Sequence, residues 1–464
     1  MHLILLSGGS GRRLWPLSND VRAKQFLKLL KTESGDLESM AQRVYRQIQR
    51  VGLKKPWDSI TVAASSAQID QLRLQLGDGV DIVAEPERRD TFPAIALACS
   101  YLQSEKGVKR DEIIGVLPVD PFVEDDYFER VSVIESELKQ TDADLVLLGA
   151  VPLHPSVKYG YIVPGTDTAA LNNCHSEKVK TFKEKPELET ARKLMKEGGL
   201  WNCGVFGMKL GYLIDILTNK YGFTNTSYSN VHAMFTSLNK SSFDYEVVEK
   251  AQNIRVLRYT GAWKDLGTWE TFTEEIDNVW GTARLDQQCQ NCHVVNELNI
   301  PVVTLGLNDA VVVAGYDGIL VAEKGETYRL KEEVAALQGR TMYEERRWGS
   351  YKVLEYDRFD DTEVLTKKII LSADKQISYQ YHNKRREIWT VIAGKGILYI
   401  EGEKRPVHAG DSISIEVGEK HGIHALTRLE LIEVQMGFPL IEEDIVRIEY
   451  DWPVGDYNIP VCDK

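Results

Sequence analysis

A chain of 464 residues is too long for a single hydrophobic core, and domains of roughly 100–200 residues each imply two to four of them. Its hydrophobic content of 43% and charged content of 27% are those of an ordinary globular protein. The net charge of -13 excludes a polyanion groove as its main business, so no nucleic-acid partner is expected, although a small anion needs only a local basic pocket.

In chain order, LILLS near the N-terminus is too short for a secretory apolar region and runs directly into glycines. No stretch reaches the roughly 18 apolar residues of a membrane span, so no membrane partner is expected. From there to about Trp280, short apolar runs (LILLS, SITVAAS, EIIGVLPVD, ADLVLLGAV) alternate with amphipathic stretches such as SMAQRVYRQIQRV. That alternation predicts βα repeats: an α/β, Rossmann-like domain over residues 1–280 with a mainly parallel sheet and helices on both faces. Ligands bind at strand carboxyl ends in such sheets, so LPVDP places Asp120 where a functional carboxylate would sit.

Beyond Trp280 the texture changes to HVVNELNIPVVTLGLNDAVVVAGYDGILVAEKG, short strands punctuated by Asn, Gly and Asp, which predicts a short β-helix segment over 281–345. The latter part of GETYRLKEEVAALQGR reads as one linking helix. From Trp348 to Gly437 turn signals recur (AGKG, IEGEKR, HAGD, VGEKHG) and predict a compact β-barrel or jelly roll, in a last domain spanning 346–464. Cys99, Cys174, Cys203, Cys289, Cys292 and Cys462 are sparse and irregular, which fits reduced thiols and a cytoplasmic location. The CQNC pair, Cys289 and Cys292, lacks a second half-site and is read as chance.

Two sets of residues carry chemistry. In Ser7-Gly8-Gly9-Ser10-Gly11-Arg12-Arg13 the glycines follow a predicted strand, so backbone N–H groups can converge on an anion. A plain βα turn is the bland alternative; the loop is neither a dinucleotide fingerprint nor a P-loop, but Arg13 and Lys24 are cations able to neutralise a triphosphate. In the barrel, Gln380, His382 and Glu387 form a Q-x-H-x₄-E set that a distant His421 could close. Those four ligand types suit Zn²⁺ or another divalent ion, against the alternative of a satisfied core histidine.

GGSGRRLWPLSNDVRAKQFL resembles the opening motif of the sugar-1-phosphate nucleotidyltransferases, and most of all that of the mannose-1-phosphate guanylyltransferases. The likeness continues in order through EPERRDTFPAIALA, LPVDPFV, KYGYIVPG, FKEKP, WNCGVF, FDYEVVEK and WKDLGTW. Arg12 stands where the family usually has Thr and Ala23 where it usually has Pro, so altered loop geometry is expected at both. The resemblance implies nucleotidyl transfer from GTP to mannose 1-phosphate, giving GDP-mannose and pyrophosphate. It implies that Ser7, Gly8, Gly9, Gly11 and Arg13 hold the triphosphate, that Lys24 stabilises the α-phosphate, and that Asp120 and Asp265 hold Mg²⁺. It assigns the sugar phosphate to Glu184, Lys185 and Asn202. Glu85 and Gly160 are expected to face the base or the sugar, with a plain surface role as the alternative for Arg88 and Arg89.

The barrel resembles the cupin domain of type II phosphomannose isomerases through WGSYKVL, QYHNKRREIW and LIEVQMG…EEDIVRIEYD. All four ligand positions and Arg385 are kept. The family's run of three histidines is reduced to His382, followed by Asn383 and Lys384, and Ile388 replaces a histidine. Aldose–ketose interconversion needs an acid and a base near neutrality, for which His is the usual candidate, so the alternative to a transferase alone is a bifunctional enzyme that also isomerises mannose 6-phosphate and fructose 6-phosphate. A transferase for another base or sugar is a second alternative, and a sensor that binds sugar nucleotides without turnover is a third. A homo-oligomer assembled through the cupin tail is open to the chain.

Overall fold

The computed structural model describes residues 1–9, 11–19, 21–165, 175–337 and 339–453, and Cys174 and Cys462 lie outside them. In the first unit, nine strands form one sheet. They are β1 (His2–Ser7), β2 (Ser59–Ser65), β3 (Asp81–Glu85), β4 (Ile113–Pro118), β6 (Leu145–Ala150), β7 (Tyr161–Pro164), β8 (Ser176–Lys183), β9 (Leu200–Lys209) and β10 (Ile254–Tyr259). A separate ribbon pairs β5 (Pro121–Val123) with β11 (Trp263–Asp265).

The sheet order is β3-β2-β1-β4-β9-β6-β10-β8-β7. Every residue of β1 is buried, as a central strand covered on both faces requires. Strands β1 to β4 are mutually parallel where they pair, as are β6 and β10. The parallel character stops at β9, which runs antiparallel to β4, β6 and β7. It begins just after the helix Leu188–Lys196 and joins the two parallel runs, so the predicted mainly parallel sheet is in fact mixed in its second half.

Helices cover both faces. On one, Met40–Gly52 starts with a capping box between Ser39 and Gln42 and buries Val44, Ile48 and Val51 at helical spacing. On the other, Thr91–Ser104 is apolar nearly all round and packs with Leu213, Ile214, Phe235 and Phe243. Two apolar clusters, one per face, form the core.

By internal contacts the chain divides into two compact units, residues 1–294, 303–312 and 321–334 against residues 295–302, 313–320 and 335–464. The second is built on a six-stranded sheet in the order Tyr343–Arg346, Gly349–Arg358, Glu363–Leu371, Leu429–Gly437, Arg385–Ala393 and Ser412–Ile415. A five-stranded sheet runs Glu403–His408, Lys395–Ile400, His421–Ala425, Tyr379–His382 and Ile445–Glu449. The barrel therefore extends past the expected end at Gly437, because Ile445–Glu449 pairs with the strand carrying Gln380 and His382. The expected linking helix is a 3₁₀ turn, Lys324–Arg329, running into Leu330–Ala335. Among the described residues no helix is long and apolar enough to cross a membrane. Four described cysteines, Cys99, Cys203, Cys289 and Cys292, are free thiols. The Cys292 thiol donates to the Leu307 carbonyl at 3.1 Å, while Cys289 Sγ accepts from the Leu307 N–H at 3.4 Å.

Candidate active site

The glycine loop leaves the carboxyl end of β1, beside the carboxyl end of β4. Gly8 and Gly9 open onto a cavity of about 320 Å³ and a second of about 600 Å³. Gly9 has φ 117, a conformation that a side chain would strain. Gly11 starts the 3₁₀ turn Gly11–Leu14 that carries Arg13 to the first cavity. The Ser7 side chain turns away from the cavities. It is fully buried and accepts from Gln25 Nε2 at 3.2 Å, so it braces the loop from inside.

Asp120 and Asp265, 145 positions apart, meet because β11 pairs antiparallel with β5 in the register Asp265 to Pro121. Lys24 bridges them, with Nζ 2.9 Å from Asp120 Oδ2 and 3.0 Å from Asp265 Oδ1. Burial pulls the ammonium pKa down, but the two carboxylates outweigh it and hold it above the ordinary lysine value. Burial likewise pushes Asp265 up, and Lys24, Arg13 and Lys158 together bring it below the usual carboxylate range. A Cβ on Gly267 would come within 3.0 Å of Asp265 Oδ2, so glycine there leaves the carboxylate its room. Ala23, just before Lys24, has φ -68 and ψ 160, the backbone that proline imposes. The expected change of loop geometry at Ala23 is thus absent, because alanine adopts the same conformation unforced.

Around the smaller cavity stand Gly160, Glu184, Lys185 and Asn202, all anticipated, with Lys158, Tyr159, Trp263 and Asp244, which were not. Lys185 has φ 41, an uncommon conformation for a non-glycine residue, and its Nζ lies 2.7 Å from Glu184 Oε1. The turn is held by the Glu184 N–H, which donates to Glu249 Oε1 at 3.3 Å. A side chain at Gly160 would collide with Glu184 Oε2. Asn202 Nδ2 donates to Asp244 Oδ1 at 2.7 Å. All four missed residues lie inside quoted motifs, Lys158 and Tyr159 in KYGYIVPG, Trp263 in WKDLGTW and Asp244 in FDYEVVEK.

Glu85, Arg88, Asp90 and Thr91 line the larger cavity, with Lys240 and Lys331. Arg89 instead ties down a loop, donating to Glu87 at 2.6 Å and to the Leu238 carbonyl at 3.0 Å. Burial pushes Glu85 up to about 7, against the charge of Arg88. A carboxyl raised in the folded state binds its proton more tightly there. Its contribution to stability is complete below the unfolded value near 4.5 and is lost as pH rises through about 7. Glu85→Gln, which cannot ionise, should therefore gain about 2–3 kcal/mol on the wild type between pH 4 and pH 8. Urea midpoints across that range test this, and a constant difference would refute it.

In the second unit, His382, Glu387 and His421 bring ligand atoms within 4.8 Å of one another, and all three are buried. His382 Nε2 lies 3.1 Å and His421 Nε2 3.6 Å from the Glu387 carboxylate. Gln380 is the strand partner of His421. Arg385 Nε donates to Glu387 at 2.8 Å, and Trp389 Nε1 donates to both Glu387 and Glu433 at 3.1 Å. Burial keeps His382 neutral, lowering it to about 4. His421 Nδ1 is 2.8 Å from the Glu419 carbonyl, but its Nε2 is buried without a hydrogen-bond partner. A buried imidazole nitrogen left unpaired beside a carboxylate is a metal-ligand arrangement.

The nucleotidyl transferase family model matches residues 2–280, and that of the mannose-6-phosphate isomerase C-terminal domain matches residues 331–450. The mannose-1-phosphate guanylyltransferase of Salmonella montevideo is 30% identical, over 96% of this chain and 98% of its own length. That of Escherichia coli (strain K12) is 29% identical, over 96% and 97%. A solved structure described as a mannose-1-phosphate geranyltransferase from Thermus thermophilus is 27% identical, with a TM-score of 0.59, covering 73% of this chain and 99% of that one.

Proposed function

The chain belongs to the nucleotidyl transferase family, and from that premise we propose that it transfers the guanylyl group of GTP to mannose 1-phosphate. A phosphate oxygen of the sugar phosphate attacks the α-phosphorus, the bond from that phosphorus to the β-phosphate bridge breaks, and GDP-mannose and pyrophosphate result. The observation that carries the reading is Lys24 held between Asp120 and Asp265, among residues that line the smaller cavity.

Phosphoryl chemistry of this kind is mostly positioning and charge neutralisation. Two hard carboxylates converging on one cation suit Mg²⁺, which would neutralise phosphate charge and align the reacting oxygens. Gly8 and Gly9 offer backbone N–H groups to the triphosphate, and Arg13 adds positive charge beside Asp265. Lys24, already shielded from bulk water by its half-buried position, exchanges its aspartate contacts for the α-phosphate when the anion arrives. Glu184, Lys185 and Asn202 hold the sugar phosphate, the ammonium meeting phosphate and the polar groups meeting hydroxyls. Glu85 and Arg88 face the nucleoside in the larger cavity.

His382, Glu387 and His421, with Gln380 beside them, fit Zn²⁺ or a related divalent ion, on the evidence of the orphaned His421 nitrogen. That cluster supports isomerisation of mannose 6-phosphate as the second reading. Pyrophosphate release measured for four nucleoside triphosphates against several sugar 1-phosphates tests the transferase. GTP with mannose 1-phosphate should be the preferred pair, and silence across the whole matrix would refute the proposal.

A further inference from the structure

The smaller cavity holds a carboxylate that the phosphate chemistry does not require. Asp244 lines both cavities, and its Oδ1 accepts from Asn202 Nδ2 at 2.7 Å. A fourth acid in the cleft that receives the phosphates repels them, so its place there calls for another partner. Hydroxyls are the groups that a carboxylate can bind there without charge repulsion.

Its neighbours are held in place. Glu184 is paired with Lys185, and Asn202 Oδ1 accepts from the Gly204 N–H at 3.2 Å while its amide nitrogen serves Asp244. Oδ2 of Asp244 thus stands at the end of a fixed chain of polar contacts. The backbone beneath it is fixed as well. Phe243 is fully buried, packs on Phe206 with ring centroids 4.7 Å apart, and its N–H donates to Thr91 Oγ1 at 2.8 Å. Ser242 caps the turn by accepting from the Tyr245 N–H. Such a support is what a recognition group needs and a merely solvated acid does not. Burial and the charge of Glu184 raise Asp244 to about 7, which lets the carboxyl donate as well as accept near neutrality.

We propose that Asp244 contacts a ring hydroxyl of the sugar 1-phosphate directly and sets which hexose is accepted. This rests on the transferase reading for its substrate and adds a residue to it. The hydroxyl is one that a polyol presents to the Asn202 and Asp244 edge of the cavity.

Asp244→Ala and Asp244→Asn in the full chain test it by steady-state kinetics with mannose 1-phosphate and its monodeoxy analogues. A hydrogen bond to a charged group corresponds to a 10- to 100-fold loss, at ~1.5–3 kcal/mol. The alanine variant should lose about that much kcat/KM for the sugar phosphate, with the KM for GTP changed less than about twofold. One deoxy analogue should be poor for the wild type yet as good as the parent sugar for Asp244→Ala. Unchanged discrimination against every analogue would overturn the proposal, as would an equal rise in both KM values. If the wild type shows no transfer at all, the transferase reading fails separately, and calorimetric binding of mannose 1-phosphate to wild type and variant still decides the role of Asp244.

Discussion

Asp120→Asn and Asp265→Asn are each expected to lower pyrophosphate release by about two to three orders of magnitude at fixed Mg²⁺, because each removes a full charge where the phosphates gather. The amide keeps the shape of the carboxylate, so the loss is electrostatic. Lys24 now rests 2.9 and 3.0 Å from the two acids, and losing either one unbalances the ammonium as well as the cation site. Stability should move little, since Asp120 and Asp265 keep side-chain exposures of 28% and 32% and such pairs contribute ~0–1 kcal/mol. The pairing of a large kinetic loss with an unchanged urea transition separates this account from one in which the acids merely hold the fold. Turnover within about tenfold of the wild type in both variants would remove the aspartates from the chemistry.

The motifs that carry this site stand in plain order along the chain, but their geometry does not. LPVDP and WKDLG can be read as separate acids, whereas their meeting at Lys24 depends on the Asp265 to Pro121 register, a contact 144 positions long that no local pattern encodes. The direction of the Ser7 side chain is hidden for a smaller reason. Ser7 ends a strand buried on both faces, where alternation does not tell which side points to a ligand. Asp244 lies in a motif whose likeness was visible, yet its role follows from Phe243 anchoring the turn, a packing fact. In the barrel the opposite holds for Glu433. LELIEVQMG alternates strictly, with Leu429, Leu431, Glu433 and Gln435 all buried, so period-2 reading alone could have turned this acid inward toward Glu387. The antiparallel course of β9 had no such signal, because a run like LWNCGVFGMK reads alike in either direction.

Glu387→Gln is expected to be the most destabilising of the conservative changes in the second unit. Glu387 is 1% exposed and Arg385 3%, and removing one partner of a buried pair leaves the other charge uncompensated, at a cost of about 3–5 kcal/mol. The nearby Glu433 can offset part of this, since Trp389 and Gln435 already link the two acids, and burial together with the charge of Glu387 raises its pKa. Urea unfolding followed by tryptophan fluorescence reads the change, Trp389 being inside the cluster. Metal gives an independent axis. In chelator-treated protein, Zn²⁺ at about 100 times its dissociation constant should stabilise the wild type by about 2.7 kcal/mol, as ligand linkage requires. The variant, lacking the carboxylate that faces both His382 and His421, should lose most of that response. A small stability change with the full zinc response retained would mean that Glu387 is neither half of a stabilising charge pair nor a metal ligand, and the assignment of the ion to the His382, Glu387 and His421 cluster would fall with it.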